Sequence, residues 1–114
     1  MSRPRYPKPD KNNAIVVRAL EDLGALVRVD ASRLRYTVNV RGERISALNI
    51  SSMPGQIDWV ILSEQGWYLS IEVKEPGKEN NLTDGENDWR DDLGLVVASN
   101  ADTVRYAILE RMAE

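Results

Sequence analysis

Two alternating runs joined by one short turn constrain this chain more than any other feature. The segment QIDWVIL, residues 56–62, and the segment WYLSIEVK, residues 67–74, each alternate large apolar with polar or smaller side chains. That is the period-two pattern of a strand with one buried face. The intervening letters leave a loop that reads as Glu64-Gln65-Gly66. A three-residue hairpin loop wants a left-handed backbone at its last position, and glycine adopts one without steric cost. The register follows: Ser63 opposite Trp67, Leu62 opposite Tyr68, Val60 opposite Ser70, and Asp58 opposite Glu72. Ile57, Trp59, Ile61, Trp67, Leu69, Ile71 and Val73 then share the apolar face. Asp58, Glu72 and Lys74 share the other face at one end of the hairpin, with opposed Cβ atoms about 4.5–5.5 Å apart.

The flanking sequence supplies helices and further strands. Residues 12–23 place Ile15, Val16, Ala19, Leu20 and Leu23 on one helical face, with Asn12 or Asn13 as cap and Gly24 at the C′ position. The segment ALVRV has the composition of a short strand. Leu34, Tyr36, Val38 and Val40 alternate with polar residues, and a turn at RGE leads to the partner strand RISALNI. After the hairpin come the loop KEPGKENN, an acidic helix from about Thr83 to Leu93, a buried strand in GLVVAS, and a closing helix with Val104, Ile108 and Met112 on one stripe. The expected fold is α/β in the order αββββαβα, a mixed central sheet flanked by helices. With 114 residues it is a single domain over residues 12–114, preceded by a flexible basic arm over 1–11.

Absences narrow the chemistry. The chain has neither cysteine nor histidine, which removes disulfides, thiolate zinc sites, Ser-His-Asp catalysis and any histidine general base. The one Gly-Lys pair, Gly77-Lys78, is followed by Glu79, so no phosphate-cradling glycine loop is present. An enzyme built from this chain works with carboxylates, lysines, hydroxyls and a borrowed metal ion. No apolar run reaches the roughly 20 residues of a membrane span, and the basic N-terminus lacks the apolar segment of a secretory leader. The expected location is therefore the cytoplasm, of a bacterial cell or of a phage-infected host.

Net charge is −3, but the charges are unevenly placed. Arg3, Arg5, Lys8 and Lys11 make the first residues basic, either as a phosphate-contacting arm or as a solvated tail. Asp84, Glu86, Asp88, Asp91 and Asp92 crowd the acidic helix, which also carries Trp89 as a core, dimer-contact or base-stacking residue. At the hairpin end, directly opposed carboxylates repel. A divalent cation held between Asp58 and Glu72 removes that cost, because hard cations take one or two carboxylates plus waters and substrate phosphate. Lys74 reaches the same face, where an ammonium either stabilises developing charge or merely neutralises the two acids.

The pattern Gly55-x-x-Asp58, a hairpin, then Glu72-Val73-Lys74 resembles the core of the PD-(D/E)XK nuclease superfamily. Together with the downstream run LTDGENDW…LGLVVASNADTVRYAI, the chain is similar over residues 12–110 to a stand-alone VRR-NUC domain. The resemblance implies a restriction-endonuclease-like core and a Mg²⁺-dependent DNA endonuclease, with Mn²⁺ substituting, that acts as a homodimer on branched DNA in the manner of Holliday-junction resolvases. It implies Asp58 and Glu72 as metal ligands together with the Val73 carbonyl, and Lys74 as the catalytic lysine. Glu86 stands where the family usually has Gln. It implies no membrane and no small-molecule cofactor. The family also carries a Glu near the start of its first helix, where this chain has Asn12 or Asn13, with Asp10 as a substitute and Glu86 as a compensating charge. The alternative is a catalytically impaired nuclease-fold module that holds branched DNA or a replication or repair partner.

Overall fold

The computed structural model describes residues 13–30, 34–50, 58–82 and 84–114, with the side chains of 89–93 excepted. The basic arm with Arg3, Arg5, Lys8 and Lys11, together with Asp10, Asn12, Gly55, Ile57, Thr83 and the Trp89 side chain, lies outside the described residues. The elements run α1 (Ala14–Leu23), β1 (Leu26–Arg28), β2 (Arg35–Val40), β3 (Glu43–Asn49), β4 (Trp59–Ser63), β5 (Tyr68–Val73), α2 (Asp84–Leu93), β6 (Val96–Ala98) and α3 (Ala101–Ala113). This is the expected α/β order, with the short strand of ALVRV present as β1.

All six strands form one mixed sheet in sequential order. The first five pair antiparallel, and β6 returns parallel to β5 after the crossover through α2. The β4–β5 register runs from Trp59 opposite Ile71 to Leu62 opposite Tyr68, as the hairpin loop demands. Gly66 supplies the left-handed backbone at φ 100°, and the Ser63 N–H donates to the Trp67 carbonyl at 2.9 Å.

The core lies on one face of the sheet. Trp59, Ile61, Leu69, Ile71 and Val73 are buried there, with Tyr36, Val38, Val40, Ile45 and Ala47 from the neighbouring strands. Val16, Ala19 and Leu20 of α1 and Val104 and Ile108 of α3 close over them. Leu23, Trp67 and Met112 pack at the margin, half-buried. The α1–α3 pair is tied by Arg105 to Asp22 at 3.7 Å, and Asn100 caps α3 by accepting from the Thr103 N–H at 2.9 Å.

Two ends of α1 differ from expectation. Asn13 occupies the cap position but makes no side-chain cap bond; its Oδ1 instead accepts from Trp59 Nε1 at 3.0 Å inside the core. Gly24 does not adopt the left-handed C′ conformation but is extended, at φ 175°. A Cβ there would sit 2.4 Å from the Asn39 carbonyl oxygen and 3.0 Å from Val38 Cγ2. Glycine is needed for the close approach of the helix end to β2.

Candidate active site

Asp58 immediately precedes β4, and its own carbonyl accepts the Ile50 N–H at 2.8 Å, which anchors the strand start to the end of β3. Its carboxylate turns across the hairpin, where Oδ2 accepts the Val73 N–H at 2.8 Å. That bond closes the β4–β5 ladder with a side chain in place of a backbone carbonyl. Glu72 is the next residue back on β5 and lies beside Val97 of β6. Lys74 follows β5, its backbone N–H held by the Ala98 carbonyl at 2.9 Å. Glu86 comes from the first turn of α2, where a carboxylate is favoured by the helix dipole.

These elements gather four charged side chains. Lys74 Nζ lies 3.5 Å from Glu72 Oε1 and 3.4 Å from Glu86 Oε1. Glu72 and Glu86 are only 5% and 4% exposed, while Lys74 keeps about a fifth of its surface in solvent. The alternation of β5 predicts a half-exposed polar face, yet Ser70 and Glu72 on that face are buried as well. Glu86 of α2 lies over the end of β5 through Lys74, and this second face is covered at Ser70 and Glu72 while Tyr68 stays exposed.

Burial in this cluster is costly for the acids. Desolvation, followed by the neighbouring Glu86 and Asp58 carboxylates, pushes Glu72 up to about 9, against the pull of Lys74. Burial also raises Asp58 above its usual range, held back in part by the Val73 N–H that it accepts. Glu72 Oε2 is buried with no hydrogen-bond partner, and so is Ser70 Oγ. A buried carboxylate oxygen without a donor carries its full desolvation cost.

The structure thus brings Asp58, Glu72, Lys74 and Glu86 together, with the Val73 backbone at the centre of the group. Asn13, at the helix start where the family resemblance implies a further acid, is buried against Trp59. Three contacts had no sequence signal: the Asp58–Val73 closure, the Asn13–Trp59 bond and the covered second face of β5. Each depends on a partner distant in sequence. Among the described residues no group of three or more Asp, Glu, His or Cys side chains is placed to hold a metal ion, and no helix is long and apolar enough to cross a membrane. No family model, curated protein or solved structure matches the chain.

Proposed function

We propose that the chain is a metal-dependent DNA endonuclease, using Mg²⁺ with Mn²⁺ as a substitute, that cleaves branched DNA as a homodimer. One observation carries this reading. Two buried acids, Glu72 and Glu86, flank a single ammonium, Asp58 stands close by on the Val73 N–H, and the buried Oε2 of Glu72 has no donor. Glu72 answers its burial by holding a proton, and a divalent cation that displaced this proton would use the freed carboxylate as a ligand. Hard cations commonly use one or two carboxylates plus waters and substrate phosphate, so the lack of a three-acid cage is compatible with this donor set. Asp58 and Glu72, with the Val73 carbonyl, are the residues that would hold the ion.

The bound ion would supply Lewis-acid polarisation of the scissile phosphate and of an attacking water. The chain's own residues do the positioning. Asp58 is fixed by the Val73 N–H, so its carboxylate is oriented before any ligand arrives. Lys74, held between Glu72 and Glu86, presents a point charge to the developing negative charge of the transition state. Glu86 orients that ammonium from the opposite side, a positioning role. A two-fold dimer with one such site per subunit matches the paired strands of a four-way junction.

A second reading, a module of the same fold that binds branched DNA or a repair partner without cutting, is favoured by Asn13. It occupies the helix start where the family resemblance places an acid, and it is buried against Trp59. A labelled four-way junction incubated with the parent protein, Asp58→Ala and Lys74→Ala, first in Mg²⁺ and then in Mn²⁺, tests both. Nicking by the parent alone supports the nuclease. Junction binding without nicking in either metal supports the module. Undiminished nicking by Lys74→Ala refutes the assigned chemistry.

A further inference from the structure

The sheet face opposite the core carries a continuous apolar block over β3, β4 and β5. Leu48 pairs with Val60, Leu62 follows Val60 by two residues on the same face, and Leu62 pairs with Tyr68. Leu62 and Tyr68 are 48% and 43% exposed, while Leu48 and Val60 are half-buried. Thr37 and Ser46 flank the block on its β2 side. The helices α1 and α3 both pack on the other face of the sheet. A concentrated apolar surface of this kind marks a contact site.

The charge beside the block comes as an opposed pair. Arg44 and Glu64 stand across from each other on β3 and just past β4, one row beyond Ser46 and Leu62 toward the hairpin turn. The Arg44 N–H donates to Glu64 Oε1 at 2.9 Å, and the Glu64 N–H to the Arg44 carbonyl at 3.1 Å. Both side chains are exposed. A phosphate strand laid here would be repelled by Glu64 as much as it is drawn by Arg44. A two-fold copy instead turns the pair into complementarity.

The strands lie in the order β1 to β6, so an axis along the strands between β3 and β4 bisects the sheet. It lays β3 over the partner's β4 and β2 over the partner's β5. Rotation about that axis moves nothing along the strands, so every residue keeps its row. Arg44 then faces the partner's Glu64, Leu48 the partner's Val60, and Ser46 the partner's Leu62. An axis along β3 would oppose Arg44 to itself, and one along β4 would oppose Glu64 to itself. Arg35, exposed in the Leu48 row, falls toward the end of the partner's β5, over which the acidic α2 lies.

We infer that this face is the two-fold interface with a second copy of the chain, with the axis between β3 and β4. The inference deepens the homodimer of the nuclease reading, and only its catalytic consequence rests on that reading. Because the axis runs along the strands, both Glu72 clusters lie at the same end of the dimer. At the usual strand and sheet spacings they are roughly 17 Å apart. One branched substrate then reaches both sites.

Analytical ultracentrifugation in EDTA reads the contact without cleavage. The parent is expected to be a dimer. Arg44→Glu and Glu64→Arg should each weaken it about tenfold or more, because each sets like charges face to face on both sides of the axis. An equal mixture of the two variants restores the dimer, since every opposed pair is again an acid and a base. That recovery also shows that both variants are folded. Leu62→Ala weakens the parent dimer, whereas Tyr106→Ala, exposed on α3, leaves it unchanged. A monomeric parent, a mixture that stays monomeric, or a dimer indifferent to all three face variants overturns the inference. So does a parent monomer that binds a labelled thymidine strand and loses it in Tyr68→Ala, because the face then belongs to nucleic acid. Recovery in the mixture without metal-dependent cutting by the parent upholds the interface and refutes the nuclease. Cutting by a monomeric parent, lost in Asp58→Ala, does the reverse.

Discussion

Glu72→Gln is the substitution that reads the buried cluster most directly. The folded chain keeps the Glu72 proton up to about pH 9, whereas the unfolded chain releases it near 4.5. Between those values the unfolded state binds fewer protons, so stability falls as pH rises. The contribution is fully present below the unfolded value and lost through the folded one. One pH unit corresponds to about 1.4 kcal/mol, so an isolated group would lose about 6 kcal/mol over the window. That is comparable with the roughly 5–15 kcal/mol that holds a whole domain together. Coupling to the neighbouring Asp58 spreads the titration, and a loss of about 3 kcal/mol between about pH 5 and pH 9 is expected. Gln has the same shape and no proton to release, so Glu72→Gln should flatten the profile and be the more stable protein at alkaline pH. Urea denaturation in EDTA across that range measures it. Millimolar Mn²⁺ should restore about 2.7 kcal/mol to the parent if present at a hundred times its dissociation constant, and little to Glu72→Gln. A parent profile that is flat over the window, or a variant that keeps the parental slope, refutes the reasoning.

Four further substitutions test the surrounding structure. Asn13→Ala strands the Trp59 indole N–H in the core and should cost about 1–3 kcal/mol in chemical denaturation; a loss below about 0.5 kcal/mol contradicts the buried bond. Gly24→Ala drives a Cβ against the Asn39 carbonyl, and α1 must shift at a cost of about 1–3 kcal/mol; an unchanged melting temperature refutes the close approach. Asn100→Ala removes the α3 cap, with an expected loss of about 0.5–2 kcal/mol in the same assay. Lys74→Ala leaves the three acids without their ammonium, so Mn²⁺ should raise its melting temperature more than the parent's while cleavage disappears; equal shifts in the two proteins count against a shared site.

The hairpin was legible because two local facts agree: the period-two runs select a buried face, and Gly66 selects the loop. Together they determine which residues oppose one another, so Asp58, Glu72 and Lys74 converge without knowledge of the remaining fold. Glu86 was reachable only through the family resemblance, because nothing local in the acidic helix aims one carboxylate at a strand end. Asn13 illustrates the opposite limit. A polar residue at a helix start reads as a cap, and only the presence of Trp59, 46 residues away, turns it into a buried acceptor. Gly24 is similar: its role is decided by Val38 and Asn39 on β2. The second face of β5 escaped for a related reason, since alternation records side-chain polarity and not what another element lays over it. That covering gives the cluster its meaning. Carboxylates at a solvated strand end would give up their protons near 4.5, whereas Glu72, closed in beside Asp58 and Glu86 with one oxygen unanswered, keeps its proton up to about 9. A proton on Glu72 relieves that burial up to about pH 9, which is why the Glu72→Gln profile reads the cluster.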